Sequence, residues 1–277
     1  MLGMPSNVFA ATIKIEDTNI YENEYKYYKM VNGILSSEVA SSEEYNIKLD
    51  KEKNELYLNN FTTNKEISTD LEELNIILEG TNKVKNENDN AIFSLGNLIF
   101  SGTGSIEILG EANGIKVLRK ITINDGTFLV NGTSYNGLEA FQIEINGGWI
   151  KALGGYSGIH TQPEFENLEE DYFHMNGGNL YAVSAKGSAI NSQTSQYRDC
   201  IVLIEDNNQV TFHIYGTAKL LKSLTLSIDM IIPKDSVLMI PEGVELKLED
   251  KNQLILNGPI LLQGKCLLEK NNFITYM

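Results

Sequence analysis

A chain of 277 residues with 42% apolar content is long enough for one or two hydrophobic cores. Its formal charge of −15, from 37 acidic against 22 basic residues, argues against nucleic acid or an anionic membrane as partner, because both need a concentrated positive surface. No stretch reaches the roughly 20 apolar residues of a membrane span.

Residues 1–11 close with Ser6-Asn-Val-Phe-Ala-Ala11, where Val8 and Ala10 occupy the positions of an A-x-A-like cleavage site. They read as a signal-peptide remnant or a disordered leader. Residues 12–62 precede any regular repeat. Thr12-Ile-Lys-Ile15 alternates like a strand, and Tyr45–Leu49 with Glu55–Leu58 forms a hairpin pattern across Asp50–Asn54. The polar run Ser36–Glu44 reads as a loop.

Residues 63–205 repeat. Ile121-Thr-Ile-Asn-Asp-Gly-Thr-Phe-Leu-Val130, Ile143-Glu-Ile-Asn-Gly-Gly-Trp-Ile-Lys-Ala152 and Phe173-His-Met-Asn-Gly-Gly-Asn-Leu-Tyr-Ala182 are imperfect copies of one unit. The turn glycines Gly80, Gly104, Gly126, Gly148 and Gly178 lie 24, 22, 22 and 30 residues apart. The anchors Ile92, Ile115, Leu138, Ile159 and Ile190 lie 23, 23, 21 and 31 apart. Both series hold a period near 22 and lengthen together, which places an insertion of about 8 residues between Ile159 and Phe173. Short alternating strands at such a period, without helical patterning, predict an all-β fold: a single-stranded parallel β-helix with about 22 residues per coil.

Strand alternation then assigns the faces. Ile121, Ile123, Phe128 and Val130 point inward, as do Ile143, Ile145, Ile150 and Ala152, and then Phe173, Met175, Leu180 and Ala182. Glu144, Trp149 and Lys151 point outward. The Asn-Asp-Gly and Asn-Gly-Gly corners supply the positive-φ backbone that a sharp turn between sheets needs. The first coil of a solenoid has an open apolar end, so residues 12–62 are expected to form an N-terminal cap.

Residues 206–277 alternate with fewer glycines and read as further coils with different turns, among them Val210–Ile214, Leu224–Ile228 and Val244–Leu248. Cys200 and Cys266 are separated by about three coils, or roughly 14 Å at about 4.8 Å per coil, beyond the roughly 7 Å a disulfide spans. Both are expected to be unpaired core residues.

With the repeats of 71–203, the hairpin Tyr45–Leu58 and the entry Leu74-Asn-Ile-Ile-Leu-Glu-Gly-Thr-Asn82 in place, the chain resembles the right-handed parallel β-helix "carbohydrate-binding domain-containing" surface proteins of Gram-positive bacteria, related in fold to pectate lyases. The resemblance implies a secreted or cell-surface, non-catalytic polysaccharide binder that needs no cofactor and is sometimes assisted by calcium. Two alternatives stay open: an adhesive solenoid that binds a surface protein, and a polyuronate lyase. A lyase needs calcium carboxylates and a Lys or Arg base, yet the only arginines, Arg119 and Arg198, have no Asp ladder beside them. Gly155-Tyr-Ser-Gly-Ile159 ends in Ile where a nucleophile elbow needs Gly, and no zinc or phosphate-loop spacing occurs.

Two candidate sites follow. Trp149 and Lys151, followed one coil on by Asn179 and Tyr181, present an outward aromatic platform for the apolar face of a sugar, with Tyr156 as a wall; the alternatives are that the acidic insertion or a terminal segment folds back and buries Trp149 as ordinary packing, or that the platform meets a protein. The insertion carries Glu166, Glu169, Glu170 and Asp171, oxygen ligands of the kind calcium takes, although it lacks the spaced Asp/Asn and Gly of a dedicated calcium loop.

Overall fold

The computed structural model describes residues 11–24, 26–38, 40–162, 171–269 and 271–276, and every regular element among them is a β-strand. The leader at 1–10 and the acidic segment 163–170, with Glu166, Glu169 and Glu170, lie outside the described residues. The architecture is a parallel β-solenoid of about ten turns with about 22 residues per turn.

Each coil contributes one strand to each of three sheets. In one coil these are Gln142–Ile145 on sheet I, Trp149–Gly154 on sheet II and Ser157–Thr161 on sheet III. Successive coils pair in parallel and in register: Ile121 with Ile143 and then Phe173 on sheet I, Phe128 with Ile150 and then Leu180 on sheet II. On sheet III the anchors read from the sequence are register partners in turn, Ile92, Ile115, Leu138, Ile159 and Ile190. All twelve side chains assigned inward from the three repeats are buried. Each of the ten larger ones, all but Ala152 and Ala182, contributes roughly 1.5–3 kcal/mol relative to exposure, and the coils above and below supply the contact surface on either side.

The corners between sheets I and II behave as their residue types require. Gly126, Gly148 and Gly178 hold φ of +110°, +82° and +82°. A Cβ on Gly148 would lie 2.6 Å from the Gly126 carbonyl oxygen, so bulk is excluded as well as conformation selected. Outside this corner the side-chain amides form their own ladder: Asn146 donates to Asn124, and Asn176 to Asn146, at 3.0 Å each. The insertion falls between Thr161 and Tyr172, where the preceding coil passes from Ala140 to Gln142 through one residue.

At the N-terminal end, antiparallel strands close the parallel stacks. Ile13–Ile15 lies against Ile67–Thr69, and Ile47–Asp50 against Glu55–Asn59, so two of the first coil's three sheet edges are paired, while Thr62–Thr63 is the edge strand of sheet II.

The opposite end differs from the sequence reading. Val210–Ile214, expected as a coil strand, belongs to a strand Gln209–Tyr215 that turns back antiparallel onto Cys200–Asp206. The reversal is made at Asn207 and Asn208, with φ of +48° and +66°, a tight turn that asparagine tolerates. The remaining tail strands are coils as expected, in three separate three-stranded parallel sheets around a second core that includes Ala218, Leu226, Met230, Leu238 and Leu246. This core packs on the outer face of sheet II. Ile201 and Leu203 face it while Cys200 and Val202 face the first core, so the strand Cys200–Asp206 serves both, which explains its unbroken apolar run.

Both cysteines are free. Burial pushes the Cys200 thiol up to about 12, leaving it an inert packing group. In the last coil the inward ladder becomes exposed: Ile240 is 0% exposed and its partner Leu262 55%.

Candidate functional site

The structure brings four of the five platform residues together on sheet II, with Trp149 the register partner of Asn179 and Lys151 that of Tyr181. The tail, however, lies over them. Lys222 Nζ sits 4.1 Å from the Trp149 ring centroid, and burial lowers the pKa of that amine. Asn179 is buried, donating through Nδ2 to the Lys219 carbonyl at 2.8 Å and accepting from the Leu221 amide at 2.7 Å. The Tyr181 hydroxyl donates to the Glu205 carboxylate, and burial together with that bond pushes its pKa up to about 12. Lys151 Nζ lies 4.7 Å over the same ring. Trp149 and Asn179 attach the tail module to sheet II and Tyr181 packs against its core, whereas Lys151 and the Tyr181 hydroxyl are engaged within the sheet. Trp149→Ala is therefore expected to cost about 1–3 kcal/mol of stability, read as a lowered Tm.

Tyr156 stands elsewhere, around the corner between sheets II and III. There it faces an open groove of about 650 Å³. A backbone column builds the groove's rim: the Ala112 amide donates to the Asp89 carbonyl, Tyr135 to Ala112, and Tyr156 to Tyr135. The Tyr135 and Tyr156 rings are 53% and 52% exposed, 6.2 Å apart and within 16° of parallel. Large half-exposed rings held in parallel on rigid backbone form a preorganised apolar surface.

Beside the rings runs a buried amide ladder. Asn113 Nδ2 donates to Asn90 Oδ1 at 2.9 Å, the Asn136 amide donates to Asn113 Oδ1 at 2.9 Å, and Asn136 Nδ2 donates to Glu139 Oε2 at 2.6 Å. The outward row of sheet III completes the wall: Lys116, Glu139, His160 and Asn191 are successive register partners. Lys116 and Glu139 form an ion pair at 2.9 Å. Side chains clamped in this way are held in place for a ligand rather than being free to rearrange.

The sequence carries a signal for this groove that face assignment alone does not isolate. Asn90, Asn113 and Asn136 are 23 residues apart and each stands two residues before a sheet III anchor, while Tyr135 and Tyr156 immediately precede Asn136 and Ser157. A search for polar and aromatic residues at the repeat period would have found them.

Of the proposed calcium ligands, Asp171 alone is described. It is buried, accepting from Thr161 Oγ1 at 2.7 Å and from the Gln193 amide at 3.4 Å through Oδ2. No group of three or more metal-ligating side chains occurs among the described residues. No helix among them is long and apolar enough to cross a membrane.

The fold and the groove define a parallel β-solenoid with an open groove rimmed by two parallel tyrosine rings. A family model described as "Carbohydrate-binding domain-containing protein" matches residues 35–219, two thirds of the chain, and the chain belongs to that family. The match includes the groove and stops at the end of Thr217–Lys219, the first strand of the tail's three-stranded sheets. No curated protein and no solved structure matches the chain.

Proposed function

We propose that this protein binds a polysaccharide without turning it over, and that the groove beside Tyr135 and Tyr156 is where it does so. The observation that carries the reading is the pair of parallel, half-exposed tyrosine rings bordering a row of fixed polar groups, because sugars present apolar C–H faces and a hydroxyl rim. Two carboxylates line the groove and each is tied to a neighbour, Glu139 by Lys116 and Asn136 and Asp89 by the Asn90 amide that donates to its Oδ1, whereas glycoside cleavage needs one carboxyl free as acid and the other as base or nucleophile. The same proposal places the protein outside the cell or on its surface. Calcium assistance through the acidic insertion remains part of it, and binding measured with calcium and with a chelator separates the two forms.

The test is retention on a panel of immobilised polysaccharides. Tyr135→Ala with Tyr156→Ala is expected to reduce retention by about a hundredfold while the melt shifts little, since both rings are largely in water. Retention unchanged in the double variant would remove the groove from consideration. Trp149→Ala, by contrast, should melt earlier and keep its retention.

The exposed apolar end of the tail favours a second reading, contact with a surface protein. Leu262 and Ile274 continue the inward positions of the buried Ile240 and Leu254 and are themselves exposed among the described residues, an uncovered apolar face of the kind that marks an interaction surface.

A further inference from the structure

The column that carries the two tyrosines is flanked by residues without bulk. Below Tyr135 stands Ala112, joined to it by a backbone hydrogen bond of 3.1 Å. Above Tyr156 stands Gly187, where a Cβ would lie 2.6 Å from the Tyr156 carbonyl oxygen, so that no side chain fits. On the upper side Lys186 Nζ reaches to 5.9 Å from the Tyr156 ring. On the lower side the residue next in the column beneath Tyr135 is Ala112, whose side chain is a single methyl and which itself lines the groove.

Resting on the reading of the groove as a glycan site, we infer that the Ala112 position is a sugar slot in which one neutral pyranose ring stacks under Tyr135 as the third rung of the ladder. The spacing suits it. Adjacent coils are about 4.8 Å apart and rings stack at about 4.5–7 Å, so a flat ring over a methyl group continues the series that Tyr156 and Tyr135 begin. The chemistry narrows the ligand. Stacking favours a ring with an uninterrupted apolar C–H face, and the gluco configuration of β-linked glucans, with all its hydroxyls equatorial, presents such a face on both sides. The charges near the slot are acidic: Asp89 lies next below Ala112 in the column, and Glu111 immediately precedes Ala112 and accepts from Ser134 Oγ at 3.1 Å. Lys116 is paired with Glu139. With a chain charge of −15, a uronate or sulfated sugar is repelled from this slot and a neutral one is not.

The experiment is titration calorimetry of the whole chain with cellohexaose, laminarihexaose and polygalacturonate, for wild type, Ala112→Phe and Ala112→Ser. Phe fills the slot without removing any existing ring, whereas Ser leaves it open. The expected result is binding of a neutral hexaose, weakened at least about tenfold by A112F and kept by A112S, with all three proteins melting alike. Neutral-glucan binding that A112F leaves intact would overturn the slot, as would equal weakening by A112S. Binding of polygalacturonate alone would overturn the neutral-sugar assignment and leave carbohydrate binding standing. Binding of none of the three, together with no retention on the wider panel, would overturn both.

Discussion

Phe128→Ala is expected to destabilise the fold by about 3–5 kcal/mol, measured by urea unfolding at equilibrium. Phe128 is fully buried on sheet II, in the inward ladder Ile106, Phe128, Ile150, Leu180 and Val202, and meets Phe100 edge to face at 5.4 Å. Truncation removes the ring's transfer free energy and leaves a void that the flanking coils cannot close, since their strands are pinned in register on both sides. In a solenoid each coil is stabilised mainly by its neighbours, so the damage falls on the coils above and below as well. Phe128→Leu should recover most of the loss. A loss under about 1 kcal/mol for the alanine variant would mean that the core collapses to fill the space.

Gly132→Ala should be as damaging, for a different reason. Gly132 is not in the left-handed region, so conformational preference is not at issue. The chain loops back at this corner, and a Cβ on Gly132 would lie 1.9 Å from the Asn136 carbonyl oxygen. No rotamer relieves a clash with backbone, so the corner has to move. The cost is expected at or beyond the upper end of the roughly 1–3 kcal/mol of ordinary overpacking. Because the same corner carries Tyr135 and Asn136, glycan retention should fall together with the melt. A variant that melts like wild type would show that the close approach is not maintained in solution.

Much of the architecture was legible because a solenoid writes its period into the chain. The inward positions of three repeats, the N-terminal hairpin and the place of the insertion all rest on strand alternation and turn chemistry, which are local. What covers an outward face is not local. Alternation set Trp149 outward, but nothing near it announces that Lys222, more than seventy residues later, lies across its ring. The run Cys200-Ile-Val-Leu-Ile204 is the one local sign of two-sided burial, since a strand with only one buried face would have alternated. The antiparallel return at Asn207 and Asn208 was hidden for a similar reason, as its strand alternates much as a coil strand does. The groove residues were visible as a 23-residue recurrence of Asn, but the pairing of Tyr135 with Tyr156 depends on a coil of 21 bringing them into the same column.

The strand with two buried faces also sets how the molecule answers to force. Among the described residues Ile260–Leu262, Lys265–Leu268 and Phe273–Tyr276 are each held by one neighbouring strand through a few backbone bonds, so tension applied at residue 276 loads these strands first. Those bonds then break in sequence instead of sharing the load, and the coils peel away one at a time. Peeling meets its first firm stop at Cys200–Asp206, which is gripped by sheet partners on both edges and by a core on each face. Under tension the tail is therefore expected to lengthen in small early steps while the coils that carry Tyr135 and Tyr156 stay wound, an order that single-molecule pulling reads directly.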